Sequence, residues 1–89
     1  MVKLISKVTV KNPLGLHARP ATMIAKLLQG TKSSVCFTYK KETINARSIM
    51  SILVLAAGQN AQLLITVDGE DAEFVLKKLL DAFDTQFGE

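Results

Sequence analysis

The chain has 89 residues, 48% of them hydrophobic, a formal charge of +3 at pH 7, one histidine and one cysteine. This length makes a single domain, 1–89, with one modest core, and the apolar content excludes a disordered chain. A lone cysteine cannot form an internal disulfide. With one histidine and no clustered carboxylates it supplies no metal-ligand set, so neither metal nor cofactor is expected.

Lys3 to Lys11 alternates, with Leu4, Val8 and Val10 on one side and Lys7, Thr9 and Lys11 on the other, the pattern of a half-buried strand. The stretch Asn12-Pro13-Leu14-Gly15-Leu16-His17-Ala18-Arg19-Pro20-Ala21 follows, holding both prolines and the histidine. From Ala21 the apolar residues fall at Ala21, Ile24, Ala25 and Leu28, a helical spacing that begins between Ala18 and Pro20 and ends at Gly30. Ser34 to Lys40 alternates again, Lys40-Lys41-Glu42 is a polar turn, and Thr43 to Ala46 returns as the partner strand of a hairpin. Arg47-Ser48 opens a short apolar helix through about Ala56, broken by Gly58-Gln59-Asn60. Gln62 to Asp68 is the fourth strand, with Leu63, Ile65 and Val67 inward. A last helix puts Ala72, Val75, Leu76, Leu79 and Phe83 on one stripe and is expected to fray into 85–89.

The order β-α-β-β-α-β-α, with one apolar face on each helix, implies a two-layer α+β domain. The longest nearly uncharged run, 48–66, is interrupted by polar residues and glycine and does not read as a membrane span. Residues 1–10 carry lysines among alternating apolar residues and lead into no cleavage-like site, so no signal peptide is expected, and the single Cys36 in a strand-like stretch makes a reduced, cytoplasmic setting the simplest expectation. The lysines are scattered and not interleaved with aromatics, which argues against a nucleic-acid surface, while the positive balance favours acidic protein partners.

His17 stands at a strand-to-helix turn beside the first helical N–H groups, which lack intrahelical partners and lie at the positive end of the dipole. An imidazole, the guanidinium of Arg19 and free amides are what a transient phosphoryl group on nitrogen requires. On its own, His-x-Arg is a weak signal that fits a turn histidine beside a solvated arginine better than a phosphoryl site. The chain offers no nucleophile–base pair for a self-contained hydrolase.

The whole string Gly15-Leu16-His17-Ala18-Arg19-Pro20-Ala21 resembles the active-site signature of the HPr family, the histidine-containing phosphocarriers of the bacterial phosphotransferase system. Asn45-Ala46-Arg47-Ser48-Ile49-Met50 resembles that family's regulatory-serine segment, and the likeness runs the length of the chain. It implies an open-faced sandwich, a four-stranded antiparallel sheet with three helices on one face. It also implies a phosphoryl group accepted at Nδ1 of His17 from phospho-enzyme I, steadied by Arg19, and passed to IIA-type acceptors. The protein is then a substrate of enzymes and not an enzyme, and a monomer that offers one face to successive partners.

Ser48 has the residue type and place of a helix N-cap, and by the resemblance it is also the site of an HPr kinase/phosphorylase. Ser51 departs here from the glycine that many members carry. Apolar residues surround the second helix almost completely, so some must remain exposed as a partner surface. The resemblance assigns that docking face to Met23, Lys26, Arg47, Ile49, Met50 and Leu53. The Asn12-Pro13-Leu14-Gly15 approach and the tail 82–87 resemble the nitrogen-related branch of the family, and the serine block the sugar branch. The competing function is a regulatory binding module, acting through phosphorylated Ser48 on a transcription factor or enzyme, with His17 idle.

Overall fold

Alternating apolar residues on four segments give one sheet with a covered face and an open face. In the computed structural model, which describes residues 2–89, the strands are β1 (Val2–Thr9), β2 (Ser34–Tyr39), β3 (Glu42–Asn45) and β4 (Gln62–Gly69). All pairings are antiparallel, in the order β1-β4-β2-β3. The register sets Val8 opposite Leu63, Leu4 opposite Val67 and Phe37 opposite Ile65, so each inward residue meets another across the ladder.

Three helices cover that inward face: α1 (Ala18–Leu28), α2 (Ile49–Leu55) and α3 (Ala72–Asp84). The buried residues of α1 are Pro20, Ala21, Ile24 and Leu28, and those of α3 are Ala72, Val75, Leu79 and Phe83. They join Val35, Phe37, Leu63, Ile65 and Val67 in one core, where each large side chain contributes about 1.5–3 kcal/mol. No helix among the described residues is long and apolar enough to cross a membrane.

Strand ends shift by one or two residues from the sequence expectation, and three differences have a clear physical cause. Glu42 belongs to β3, paired with Tyr39, because the hairpin turns in only two residues, and Lys40 takes the positive φ of 56° that such a turn needs. Arg47 and Ser48 lie ahead of α2. Asn45 closes that corner, its side-chain oxygen accepting from the Arg47 N–H at 2.9 Å and its carbonyl from the Ser48 N–H at 3.1 Å.

The third difference concerns the chain end, which does not fray. Residues Gln86–Gly88 form a tight turn with Phe87 only 2% exposed, its ring edge-on to Phe83 with centroids 4.9 Å apart. Burial of this aromatic, four residues after Phe83, outweighs the left-handed conformations of Gln86 and Phe87, both at φ 54°.

Candidate functional site

The segment between β1 and α1 is bent by Asn12-Pro13-Leu14-Gly15, a turn closed by the Gly15 N–H donating to the Asn12 carbonyl at 2.9 Å. Proline favours the second position of such a turn. Gly15 is required at the fourth: φ is +67°, and a Cβ would lie 2.4 Å from the Ala57 carbonyl oxygen. Leu16, buried, donates its N–H to the same carbonyl at 2.9 Å. The turn is thereby bound to the chain leaving α2, and the next residue, His17, is placed at the start of α1.

His17 is the N-cap of α1, with extended backbone angles and no side-chain cap. Its carbonyl accepts from the Ala21 N–H at 3.0 Å. Pro20 has no N–H to offer, so the free donors of the first turn are those of Ala18 and Arg19, beside the imidazole. The His17 side chain is 32% exposed. Its Nε2 lies 2.9 Å from Oε2 of Glu89, and because a carboxylate only accepts, Nε2 is the protonated nitrogen. Nδ1 keeps the lone pair. Arg19 is exposed, and its guanidinium has no hydrogen bond or ion pair among the described residues. Histidine, arginine and two unpaired amides thus belong to the same end of α1.

Two participants were not legible. The sequence places Glu89 in a tail expected to fray, and the spacing of Phe83 and Phe87 is the one signal that this tail packs. Asn12, fully buried, donates from Nδ2 to the Gln86 carbonyl at 2.8 Å and to Oε1 of Glu89, while its Oδ1 is buried without a partner. Both acceptors face Nδ2, which fixes the orientation of the amide.

Ser48 caps α2: its Oγ accepts from the Ser51 N–H at 3.1 Å, and its backbone is extended. The hydroxyl stands half-buried at a helix end. The expected rim is only partly realised. Met23, Lys26 and Met50 are exposed, Met50 at 70%, on α1 and α2, which pack against each other. Ile49 and Leu53 are half-buried and pack on the core, so they contribute edges and not whole side chains. Val54, 77% exposed, and Leu14 complete the exposed apolar set at this end, although neither stood in the expected group. Arg47 also differs from the expectation. Its Nη1 donates to the Leu28 carbonyl at 2.8 Å, and its Nη2 donates to the Ser33 carbonyl at 2.6 Å and to the Thr31 carbonyl and hydroxyl. Arg47 is an exposed residue, but its guanidinium is held against the fold, because the carbonyls at and after the end of α1 face it.

The model of the family described as the PTS HPr component phosphorylation site matches residues 5–85, a span that contains both the His17 and Ser48 segments. The chain belongs to the HPr phosphocarrier family. The phosphocarrier protein HPr of Chlamydia pneumoniae is 49% identical over 80 residues, covering 90% of this chain and 74% of its own. A crystal structure of HPr from Thermoanaerobacter tengcongensis superposes with a TM-score of 0.90 at 31% identity, over 100% of this chain and 98% of that one. A multiphosphoryl transfer protein of Salmonella typhimurium is 36% identical over 97% of this chain, which spans 24% of that longer protein. The sheet order and the three covering helices are those of HPr structures. Members of this family are phosphocarriers of the phosphotransferase system and not catalytic enzymes.

Proposed function

We propose that this chain accepts a phosphoryl group on Nδ1 of His17 from a phosphorylated enzyme I and delivers it to IIA-type acceptors. The observation that carries the reading is the 2.9 Å contact between His17 Nε2 and Oε2 of Glu89, which assigns the ring proton to Nε2 and leaves the Nδ1 lone pair as the ring's nucleophile at the start of α1. That lone pair attacks phosphorus as the bond to the donor nitrogen breaks, and the bonding pair returns to the donor. The N–H groups of Ala18 and Arg19, together with the free Arg19 guanidinium, receive the charge spread over the phosphoryl oxygens. The His17 side chain remains 32% exposed, in keeping with a group that must meet two partners in turn. Met23, Met50, Val54 and Leu14, exposed on α1, on α2 and in the turn before His17, supply an adaptable apolar contact surface, and Lys26 adds charge complementary to acidic partners. The matching multiphosphoryl transfer protein supports placing the chain among such transfer steps. The carrier acts as a monomer.

Ser48 serves a second input. A serine kinase phosphorylating its Oγ would place a dianion at the α2 N-terminus, next to the rim that the histidine's partners use, and would damp transfer by charge.

The test is phosphotransfer from phosphoenolpyruvate through enzyme I and magnesium, read by intact mass before and after brief acid treatment. The expected result is a gain of one phosphoryl group that acid removes and that His17→Ala abolishes. Arg19→Ala should retain the fold and slow transfer about 10- to 1,000-fold, the loss associated with one stabilising donor. A gain only with a serine kinase and ATP, stable to acid, would replace the carrier with the regulatory module.

A further inference from the structure

The turn at 86–88 is held in strained backbone, and it presents one group to the site, the Glu89 carboxylate. Gln86 and Phe87 both take φ 54°, and Gly88 takes 78°. Non-glycine residues in that region persist only where their surroundings over-determine them. Here the surroundings are the buried Phe87 ring on Phe83, the Gly88 N–H donating to the Thr85 carbonyl at 3.1 Å, and Asn12 holding the Gln86 carbonyl. Glu89 is then bound by both carboxylate oxygens, Oε1 by Asn12 and Oε2 by His17. Its side chain is only 20% exposed. Amide, carboxylate and imidazole form a chain in which each group orients the next, the arrangement that elsewhere fixes the tautomer of a working histidine.

We propose that Glu89 is a positioning residue for transfer at His17: held by Asn12 and the Phe87 turn, it keeps the proton on Nε2 and balances the charge that phosphorylation creates on the ring. This rests on the carrier reading above. With Nε2 protonated, attack by Nδ1 forms the new N–P bond without releasing a proton, and the ring becomes a phosphorylated imidazolium. The positive charge sits 2.9 Å from Glu89 through Nε2, on the side of the ring away from the phosphoryl group. A carboxylate there favours the loaded carrier over the free one, so it acts on the position of the transfer equilibrium as well as on the forward rate. Asn12, with no charge of its own, holds the carboxylate in place.

His17 is the only histidine, so its ring nitrogens are read without ambiguity by long-range proton–nitrogen correlation NMR. The parent is expected to show the Nε2–H form of the neutral ring. Glu89→Gln should keep that form, because its amide oxygen accepts the same bond, and Glu89→Ala should show a mixture of both forms. The equilibrium constant for phosphoryl transfer from phosphorylated enzyme I should fall about fivefold in both variants, the size of one partly exposed charge pair. Equal equilibrium constants in parent and Glu89→Gln would overturn the proposal, whatever the ring shows. An unchanged ring in Glu89→Ala would overturn the tautomer part and, with it, the positioning role. A parent that takes no phosphoryl group at all is a different failure: the carrier reading then falls first, and the inference falls with it.

Discussion

Replacing Arg47 by alanine separates a role in the fold from a role in docking. The guanidinium ties together the end of α1 and the connection to β2 through the carbonyls of Leu28, Thr31 and Ser33. The loss is smaller than the number of bonds suggests. The Leu28 carbonyl keeps the Thr31 N–H at 3.1 Å and the Thr31 hydroxyl at 2.6 Å as donors, and Thr31, half-exposed, can turn to water. Ser33 is 1% exposed, so its carbonyl alone loses a charged donor with little replacement. One charge-assisted bond of that kind is worth about 1.5–3 kcal/mol, so we expect about 2–3 kcal/mol of lost stability. For a domain of this size that is a large fraction of the total. With a urea slope of about 1–1.5 kcal/mol/M, the midpoint should fall by about 2 M. Arg47→Lys should recover little, because one ammonium cannot span the same fork of acceptors. Circular dichroism through a urea titration gives the midpoint, and phosphotransfer below the transition gives the function. A midpoint within about 0.3 M of the parent, or a tenfold slower transfer at unchanged stability, would refute the clamp and return Arg47 to the docking face.

Gly15→Ala should cost about 2–4 kcal/mol, from the positive φ and the clash with the Ala57 carbonyl, and should slow transfer by displacing His17; thermal unfolding and the transfer assay read both, and parent-like values would refute the close approach. Asp71 accepts from the Ser33 hydroxyl and from the N–H groups of Lys32 and Ser33. The Ser33 hydroxyl first, and the Lys32 N–H next, hold its carboxyl below the ordinary 3.8. A depressed folded-state value means that its contribution is complete above the unfolded value and is lost as pH falls through the folded one. Urea midpoints taken from about pH 5 down to about pH 2 should therefore drop in the parent, and Asp71→Asn should flatten that part of the curve.

The order of elements was legible because each segment carries its own period: two for the strands, 3.6 for α1 and α3. The site at His17 was legible for a related reason. A histidine, a proline in the first helical turn and a glycine closing the bend before it are local instructions, and they act within ten residues of chain. Ser48 as a cap is equally local.

What the sequence could not decide depends on residues far apart in the chain. Arg47 reads as a free cation until the end of α1 is brought against it, 14 to 19 residues upstream. Ile49 and Leu53 cannot be told from Met50 and Val54 by composition. Which of them meets the core depends on how α2 lies over the sheet and against α1. Glu89 and Asn12 are 77 positions apart. The tail holding Glu89 is short, polar and rich in strained angles, so by local propensity it is disordered. It is ordered because the core leaves Phe83 an open edge that Phe87 fills, and that burial carries a carboxylate to the one histidine.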